Sequence, residues 1–227
     1  MVVFIRYIKY SLGTLLLMNF ASCLYTPVPK HIKQNFTYCY SEENTNIEDL
    51  ININGYYIET TPYTRYDFRT KETVLDTFYR RFMFLKDGLY LDTFLRYDSL
   101  SSTFLDSYYI GKYVISGDTI KVQYIDRPNP PSGHSAWETW FKVVSRDTII
   151  KIYAIPLYKK SKSDWKNWYD YKPEWKAQIV PAIFVPINLT PISNCWLKQK
   201  KWFWCSESDW KEYMNRVKEL NKGGKER

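Results

Sequence analysis

Histidine is scarce in this chain, and the familiar catalytic motifs are missing. The 227 residues include two histidines, His31 and His134, which lie far apart in stretches predicted as loops. No His-Glu-x-x-His, Gly-x-Ser-x-Gly or phosphate-loop motif occurs. The Cys-x₉-Cys spacing of Cys195 and Cys205 is not a usual one for zinc ligands. The sequence therefore predicts a protein that is not an enzyme and that holds neither a metal nor a cofactor.

Long hydrophobic runs are also missing. The apolar stretch Ser11–Phe20 is too short for a membrane-spanning helix, which needs about 20 residues. It follows the basic residues Arg6 and Lys9 and leads into Phe20-Ala21-Ser22-Cys23. This arrangement predicts a targeting segment and resembles a bacterial lipoprotein signal peptide. The alternative is an ordinary cleaved signal followed by a chance cysteine.

The resemblance to a lipoprotein signal implies that residues 1–22 are removed and that the thiol of Cys23 receives a diacylglyceryl group. The implied partner is a membrane of the cell envelope, with the outer membrane favoured and the side of the membrane left open. Acyl chains such as palmitate hold a protein at a bilayer because each buried CH₂ contributes roughly 0.8 kcal/mol.

Concentrated basic surface is a third feature that the chain lacks. The formal net charge is +8, but the main basic cluster is short: Lys198, Lys200 and Lys201. No predicted helix carries a continuous basic face, so nucleic acid is not an expected partner. A basic surface near anionic lipid is the milder interpretation.

Aromatic residues are abundant, at 19% of the chain with 21 tyrosines, and this favours β-structure. Val114–Ile120 and Val143–Ile149 read Val-Ile-Ser-Gly-Asp-Thr-Ile and Val-Val-Ser-Arg-Asp-Thr-Ile, so one hairpin pattern occurs twice. Apolar and polar residues alternate along both hairpins. The residues assigned to apolar faces are Tyr109, Tyr113, Ile115, Ile120, Val122, Tyr124, Trp137, Phe141 and Val143, with Ile150, Ile152 and Ala154 sharing one face of the last strand.

Further strands are predicted at 55–60, 64–70, 77–86 and 89–96, and Asp87-Gly88 and Gly117 supply residues suited to positive φ in the turns. Gly111 within a strand predicts a bulge or tight bend. The fold class is mainly β: an antiparallel meander that closes into a barrel, with a C-terminal α-helix packed outside. That helix follows Ser206, and Trp210, Tyr213, Met214, Val217 and Leu220 form its apolar stripe.

A wider resemblance involves three stretches: Gly55-Tyr56-Tyr57, Phe84-Leu85-Lys86-Asp87-Gly88-Leu89-Tyr90, and Gly111–Ile120. Together with the lipoprotein signal they look like the lipocalin-like lipoproteins of Bacteroidetes. The resemblance covers roughly residues 50–155 and implies a calycin-type barrel with a cup for one small apolar ligand.

The predicted organisation has four parts. Residues 1–22 are the signal, 23–54 a lipidated tether and polar approach, 55–205 the barrel, and 206–227 the terminal helix and tail. The barrel carries an aromatic insertion at 156–175, with Trp165, Trp168 and Trp175. Cys195 and Cys205 are predicted to form a disulfide across a hairpin at 196–204, although Cys39 can pair with either of them instead.

The predicted function is binding of a small apolar or amphipathic ligand inside the barrel. Five inward candidates are expected to contact the ligand: Tyr109, Tyr113, Tyr124, Trp137 and Phe141. The same side chains are also suited to filling the core of a small barrel. Two further hypotheses stay open: an envelope scaffold or interaction subunit, and a glycan-binding module that uses the insertion at 156–175.

Overall fold

A computed structural model describes residues 27–94, 109–126, 134–157, 179–187 and 195–223. Within these residues lie eight β-strands and two α-helices. The strands are β1 Gly55–Asp67, β2 Glu72–Phe84, β3 Leu89–Phe94, β4 Tyr109–Ser116, β5 Thr119–Asp126, β6 Ala136–Ser145, β7 Thr148–Pro156 and β8 Ala182–Pro186. The helices are α1 Lys30–Asn35 and α2 Glu207–Gly223, and short 3-10 helices span Ile47–Asp49 and Lys201–Phe203.

The strands form one closed antiparallel barrel in which each strand pairs with the next along the chain. Four residue pairs between β1 and β8, from Gly55↔Pro186 to Ile58↔Ile183, complete the ring. The predicted meander barrel with a C-terminal helix outside it is therefore confirmed. Among the described residues, no helix is long and apolar enough to cross a membrane.

The first two strands are longer than the sequence indicated. The predicted strands 55–60 and 64–70 are one strand, and Pro62 lies within it opposite Thr77 of β2. Proline is tolerated there because β1 pairs with β8 only as far as Ile58, which leaves an edge at Pro62. In the described part of the chain, the outer portions of β1 and β2 pair only with each other, so this hairpin extends past the barrel and exposes Phe68 at 86%.

Two predictions about the regularity of the strands are not met. In β7, Trp140 lies opposite Tyr153 but Phe141 lies opposite Lys151, so Ile152 is an extra residue in the strand. This bulge puts Ile152 and Ala154 on different faces, so the prediction that they share one face is wrong. No bulge occurs at Gly111, which keeps regular pairing; a Cβ there would lie 2.0 Å from the carbonyl oxygen of Gln123.

Two predicted turns contain a glycine with positive φ. Gly88 takes φ 84° between β2 and β3, and Gly117 takes φ 61° between β4 and β5. In the second copy of the hairpin pattern Arg146 is not among the described non-glycine residues with positive φ. The β6–β7 turn is therefore of another kind, and the strand before it contains a second register shift between Val143 and Ser145.

The segment before the barrel is more ordered than the tether and polar approach predicted from the sequence. From residue 27 onward it contains α1 and a 3-10 helix, and Ile32, Tyr40, Ile47 and Ile51 are fully buried. The side chain of Gln123 on β5 accepts hydrogen bonds from the main-chain N–H groups of residues 37 and 38 at 2.7 and 3.0 Å. The segment therefore packs along the outer wall of the barrel.

The C-terminal segment packs on the same outer wall. Leu197, Phe203, Trp204 and Tyr213 join one apolar cluster with the N-terminal segment and with outward side chains of the barrel such as Leu91. Residues 196–204 form turns and a 3-10 helix, not the predicted strand or hairpin. The short strand expected near the prolines is present as β8, which is bounded by Pro181 and Pro186.

The disulfide links Cys39 to Cys205, and Cys195 is free and buried. The predicted Cys195–Cys205 pairing is therefore wrong, and the alternative involving Cys39 holds. The reason is a parallel bridge between Tyr40 and Trp204, in which the N–H of Tyr40 donates to the carbonyl oxygen of Phe203 at 2.7 Å. This bridge brings residues 39 and 205 together, with their Cα atoms 4.8 Å apart.

We expect the Cys39–Cys205 disulfide to be a main source of stability. It joins residues separated by 166 positions, so Cys39→Ala should lower the free energy of unfolding by about 4–5 kcal/mol in the chain-entropy account. Urea unfolding under oxidising conditions measures this loss. The matched control Cys195→Ala keeps the disulfide and should cost only about 1 kcal/mol, since a buried free cysteine acts as a small apolar group. A non-reducing digest that joined Cys195 to Cys205 would contradict the assignment.

Candidate functional site

The lumen of the barrel is filled with aromatic rings in the half near the β2–β3, β4–β5 and β6–β7 turns, which we call the floor. Phe82 of β2 and Phe141 of β6 stack across the lumen with ring centroids 5.0 Å apart. Phe84 and Tyr90 pack against these two rings at 5.9–6.1 Å and against each other at 5.4 Å. Because β2 and β6 are not neighbours in the barrel, the contact between their rings closes this half of the lumen.

The floor is sealed from outside by the 3-10 helix Ile47–Asp49. Ile47 and Ile51 are fully buried in the lumen cluster. The hydroxyl of Tyr57 donates to the carbonyl oxygen of Arg146 at 2.7 Å, and the guanidinium of Arg146 donates to the carbonyl oxygen of Glu48 at 2.6 Å. Burial is the main cause that raises the pKa of Tyr57. We call the opposite end of the lumen the mouth.

The five predicted ligand contacts divide between the two ends. Tyr113 and Phe141 are fully buried in the floor, where the hydroxyl of Tyr113 donates to the carbonyl oxygen of Leu85 at 2.7 Å. Tyr124, Tyr109 and Trp137 lie toward the mouth: the rings of Tyr109 and Tyr124 meet edge to face at 5.4 Å, and Trp137 lies opposite Tyr124 in the β5–β6 register. Tyr113 and Phe141 therefore fill the core. Tyr124 is buried as well, whereas Tyr109 and Trp137 are partly buried, and their contact with a ligand stays a prediction.

A buried ion pair lies directly above the floor. Nε and a terminal nitrogen of Arg80 both donate to Oδ2 of Asp92, at 2.9 and 2.5 Å, and the hydroxyl of Tyr90 donates to the same oxygen at 2.8 Å. The side chains of Arg80 and Asp92 are 6% and 0% exposed. Burial alone would lower the pKa of Arg80, but the charge of Asp92 raises the pKa well above its usual value. The guanidinium of Arg80 therefore stays charged inside the protein.

A second, looser ion pair completes this level of the lumen. Nζ of Lys151 on β7 lies 3.7 Å from a carboxylate oxygen of Glu59 on β1, and the two side chains keep 21% and 14% of their accessible surface. Lys151 is nevertheless surrounded by protein, and this burial, with the charge of Arg80 as a smaller cause, lowers the pKa of Lys151 to about 8. The amine of Lys151 is therefore mostly, but not fully, shielded from solvent.

We call Glu59, Arg80, Asp92, Thr139 and Lys151 the polar layer. Thr139 is fully buried and its hydroxyl donates to that of Tyr124 at 3.5 Å. The layer lies between the aromatic floor and the aromatic side chains of the mouth. This order of apolar, polar and apolar surface suits a molecule with one polar group and a short apolar part.

The polar layer does not follow from the predicted alternation. Alternation puts Lys151 on the face opposite Ile150 and Ile152, because it does not reveal the bulge at Ile152. Arg80 and Asp92 lie at alternate positions with Phe82 and Tyr90, and this spacing was the available signal. A charged residue two positions from an inward apolar residue of the same strand indicates a charge inside a barrel.

Neither histidine contributes to the polar layer. Nδ1 of His134 lies 3.7 Å from Oδ1 of Asp126, and the ring stacks on Trp196 at 6.1 Å. The hydroxyl of Ser135 donates to Oδ2 of Asp126 at 2.9 Å and not to the imidazole, so these groups are not arranged as a nucleophile and its base. Within the described ranges no three histidine, cysteine or carboxylate residues are grouped to hold a metal.

Several predicted features lie outside the described residues. These are the signal at residues 1–22, the lipidation site Cys23, and nearly all of the aromatic insertion at 156–175, including its three tryptophans. Their predicted roles stay predictions.

The pKa of Lys151 predicts a specific dependence of stability on pH. Its folded value of about 8 lies below the unfolded value of 10.5, so between these values the unfolded chain holds more protons and stability rises with pH. Relative to Lys151→Met, the wild-type free energy of unfolding should increase by about 2 kcal/mol from pH 7 to pH 10. Denaturant titrations of both proteins at each pH measure it. A difference that stays constant with pH would show that the amine is not buried as described.

Comparison with family models, curated proteins and solved structures finds no match to this chain. The likeness to lipocalin-like lipoproteins therefore rests on the sequence motifs alone. The function has to be argued from the barrel and from the residues of its lumen.

Proposed function

We propose that this protein is a non-enzymatic, lipid-anchored binding protein of the cell envelope. Its barrel takes up a small apolar or amphipathic molecule between the polar layer and the mouth, in keeping with the cup for one small ligand that the resemblance to lipocalin-like lipoproteins implies. The single observation that supports this most strongly is the group of charged side chains on the inward face of the barrel, of which Lys151 and Glu59 keep accessible surface.

The distribution of side chains supports an occupant on the mouth side only. The floor is closed by direct ring contacts, so a ligand there would have to displace fully buried aromatic residues such as Phe82. Toward the mouth, Tyr109, Trp137 and Ala154 are only partly buried. Partly buried apolar side chains above a buried polar group are what a small-molecule site needs, because burial gives affinity and the polar group fixes orientation.

The two alternative functions gain less support. The scaffold and glycan-binding hypotheses use the insertion at 156–175, which lies almost entirely outside the described residues. The scaffold hypothesis also uses α2, which packs on the barrel through residues such as Tyr213 and exposes Leu220 at its far end. Nothing at α2 indicates the chemistry of a partner.

Filling the lumen should abolish uptake of an apolar probe. Ala154 lies opposite Thr139 in the β6–β7 register, so Ala154→Trp puts an indole into the lumen beside the polar layer. We expect at least a tenfold loss of affinity for an uncharged lumen-binding dye such as N-phenyl-1-naphthylamine, measured by fluorescence titration. The matched control Ile152→Trp adds the same ring at the bulge, where Ile152 is 37% exposed, and should bind as the wild type does. Equal loss in both variants would argue against binding in the lumen.

The lipid anchor is tested separately, since it rests on the sequence of residues 1–23. Cells fed labelled palmitate should label the wild-type protein, and Cys23→Ala should remove the label and release the protein from the membrane fraction. Globomycin, which blocks lipoprotein signal cleavage, should cause the larger precursor to accumulate. A wild-type protein that stays unlabelled would overturn the proposed anchor and leave binding in the barrel untouched.

A further inference from the structure

The charges of the polar layer indicate which kind of polar group a ligand can place there. It holds two basic side chains, Arg80 and Lys151, and two acidic ones, Asp92 and Glu59. The four charges balance, so a ligand with a net charge would add an uncompensated charge in a poorly solvated space. An anion would face two carboxylates and a cation would face two basic groups. An uncharged ligand avoids both penalties.

One atom in this layer has an unfilled hydrogen-bonding capacity. Oδ2 of Asp92 accepts three hydrogen bonds, from two nitrogens of Arg80 and from the hydroxyl of Tyr90. Oδ1 of the same carboxylate is buried and has no hydrogen-bond partner in the described part of the structure. A buried acceptor without a donor is unfavourable by about 1–3 kcal/mol or more. A ligand that donates one hydrogen bond to Oδ1 removes this cost.

A donor for the ligand is available from the same layer. Nζ of Lys151 carries hydrogens on a flexible stem, and its contact with Glu59 is long at 3.7 Å. Glu59 lies opposite Arg80 in the β1–β2 register, so the amine that contacts Glu59 lies beside the ion pair of Arg80 and Asp92. The layer therefore offers one acceptor that lacks a donor and one donor that is loosely held.

Building on the proposed function, we propose that the barrel binds an uncharged, hydroxyl-bearing amphiphile with its hydroxyl in the polar layer. The hydroxyl donates to Oδ1 of Asp92 and accepts from Nζ of Lys151. A carboxylate only accepts, and an alkylammonium only donates and adds a positive charge beside Arg80. Among simple polar groups a hydroxyl supplies both roles without a net charge.

The apolar part of the ligand lies toward the mouth. Tyr109, Trp137 and Ala154, on β4, β6 and β7, are partly buried beside the polar layer. The floor beneath the layer is filled, so the molecule enters with its hydroxyl first.

The test compares three probes with the same tail on the wild-type protein at pH 7: 1-octanol, octanoate and octylammonium. We expect 1-octanol to bind at least tenfold more tightly than either charged probe, measured by displacement of the bound dye. If octanoate or octylammonium binds as tightly as 1-octanol, the inference is overturned while binding in the barrel stands. If none of the three displaces the dye and the dye itself does not bind, the proposed function fails with it.

A variant separates the role of Lys151 from general packing. Lys151→Met keeps the length of the stem and removes the donor, so affinity for 1-octanol should fall about tenfold while the preference over octanoate persists. The matched control Lys121→Met changes a lysine on the outer face, where Nζ lies 4.5 Å from the ring centroid of Trp140, and should leave the affinity unchanged. If the affinity of Lys151→Met equals that of wild type, the amine does not contact the ligand and the inference is wrong. Should this variant fold poorly, the order of the three probes on the wild type decides alone.

Discussion

The structure depends on how an eight-stranded barrel fills its own interior. A ring of this size encloses only enough space for side chains or for one small molecule. Here Phe82 and Phe141 meet across the lumen and fill its lower half. Among the described residues, this contact leaves the upper half of the lumen to the charged side chains of the polar layer, and there we propose that a ligand binds.

The described parts of the N-terminal and C-terminal segments stabilise the barrel from outside. The hydroxyl of Tyr40 donates to Oδ2 of Asp87 in the β2–β3 turn at 2.6 Å, and Nζ of Lys198 donates to the same oxygen at 2.9 Å. The amine of Lys198 also lies over the ring of Tyr40 at 4.7 Å. One turn of the barrel, the N-terminal segment and the C-terminal segment are thus joined beside the Cys39–Cys205 disulfide. All of these contacts lie at the floor end or on the outer wall.

The sequence predicted those features that arise from neighbouring residues. Alternation in β4, β5 and β6 placed Tyr113 and Phe141 inside correctly, and Gly88 and Gly117 marked turns that need positive φ. Features that depend on distant partners were not predictable. The choice of Cys39 over Cys195 follows from a bridge between residues 40 and 204, and the inward position of Lys151 follows from one extra residue in β7. Local periodicity contains no information about either.

Stability alone does not account for the polar layer, and the proposed ligand supplies a reason for it. A buried ion pair such as Arg80–Asp92 contributes little net stability, and apolar residues of similar size in its place are often neutral or stabilising. The floor of the same lumen shows that this chain can fill the barrel with aromatic side chains. Leaving two ion pairs and an acceptor without a donor above that floor is unfavourable for an empty barrel, and the imbalance is relieved by a molecule that completes the hydrogen bonds. The part of the lumen that departs from good packing is therefore the part where a ligand is expected.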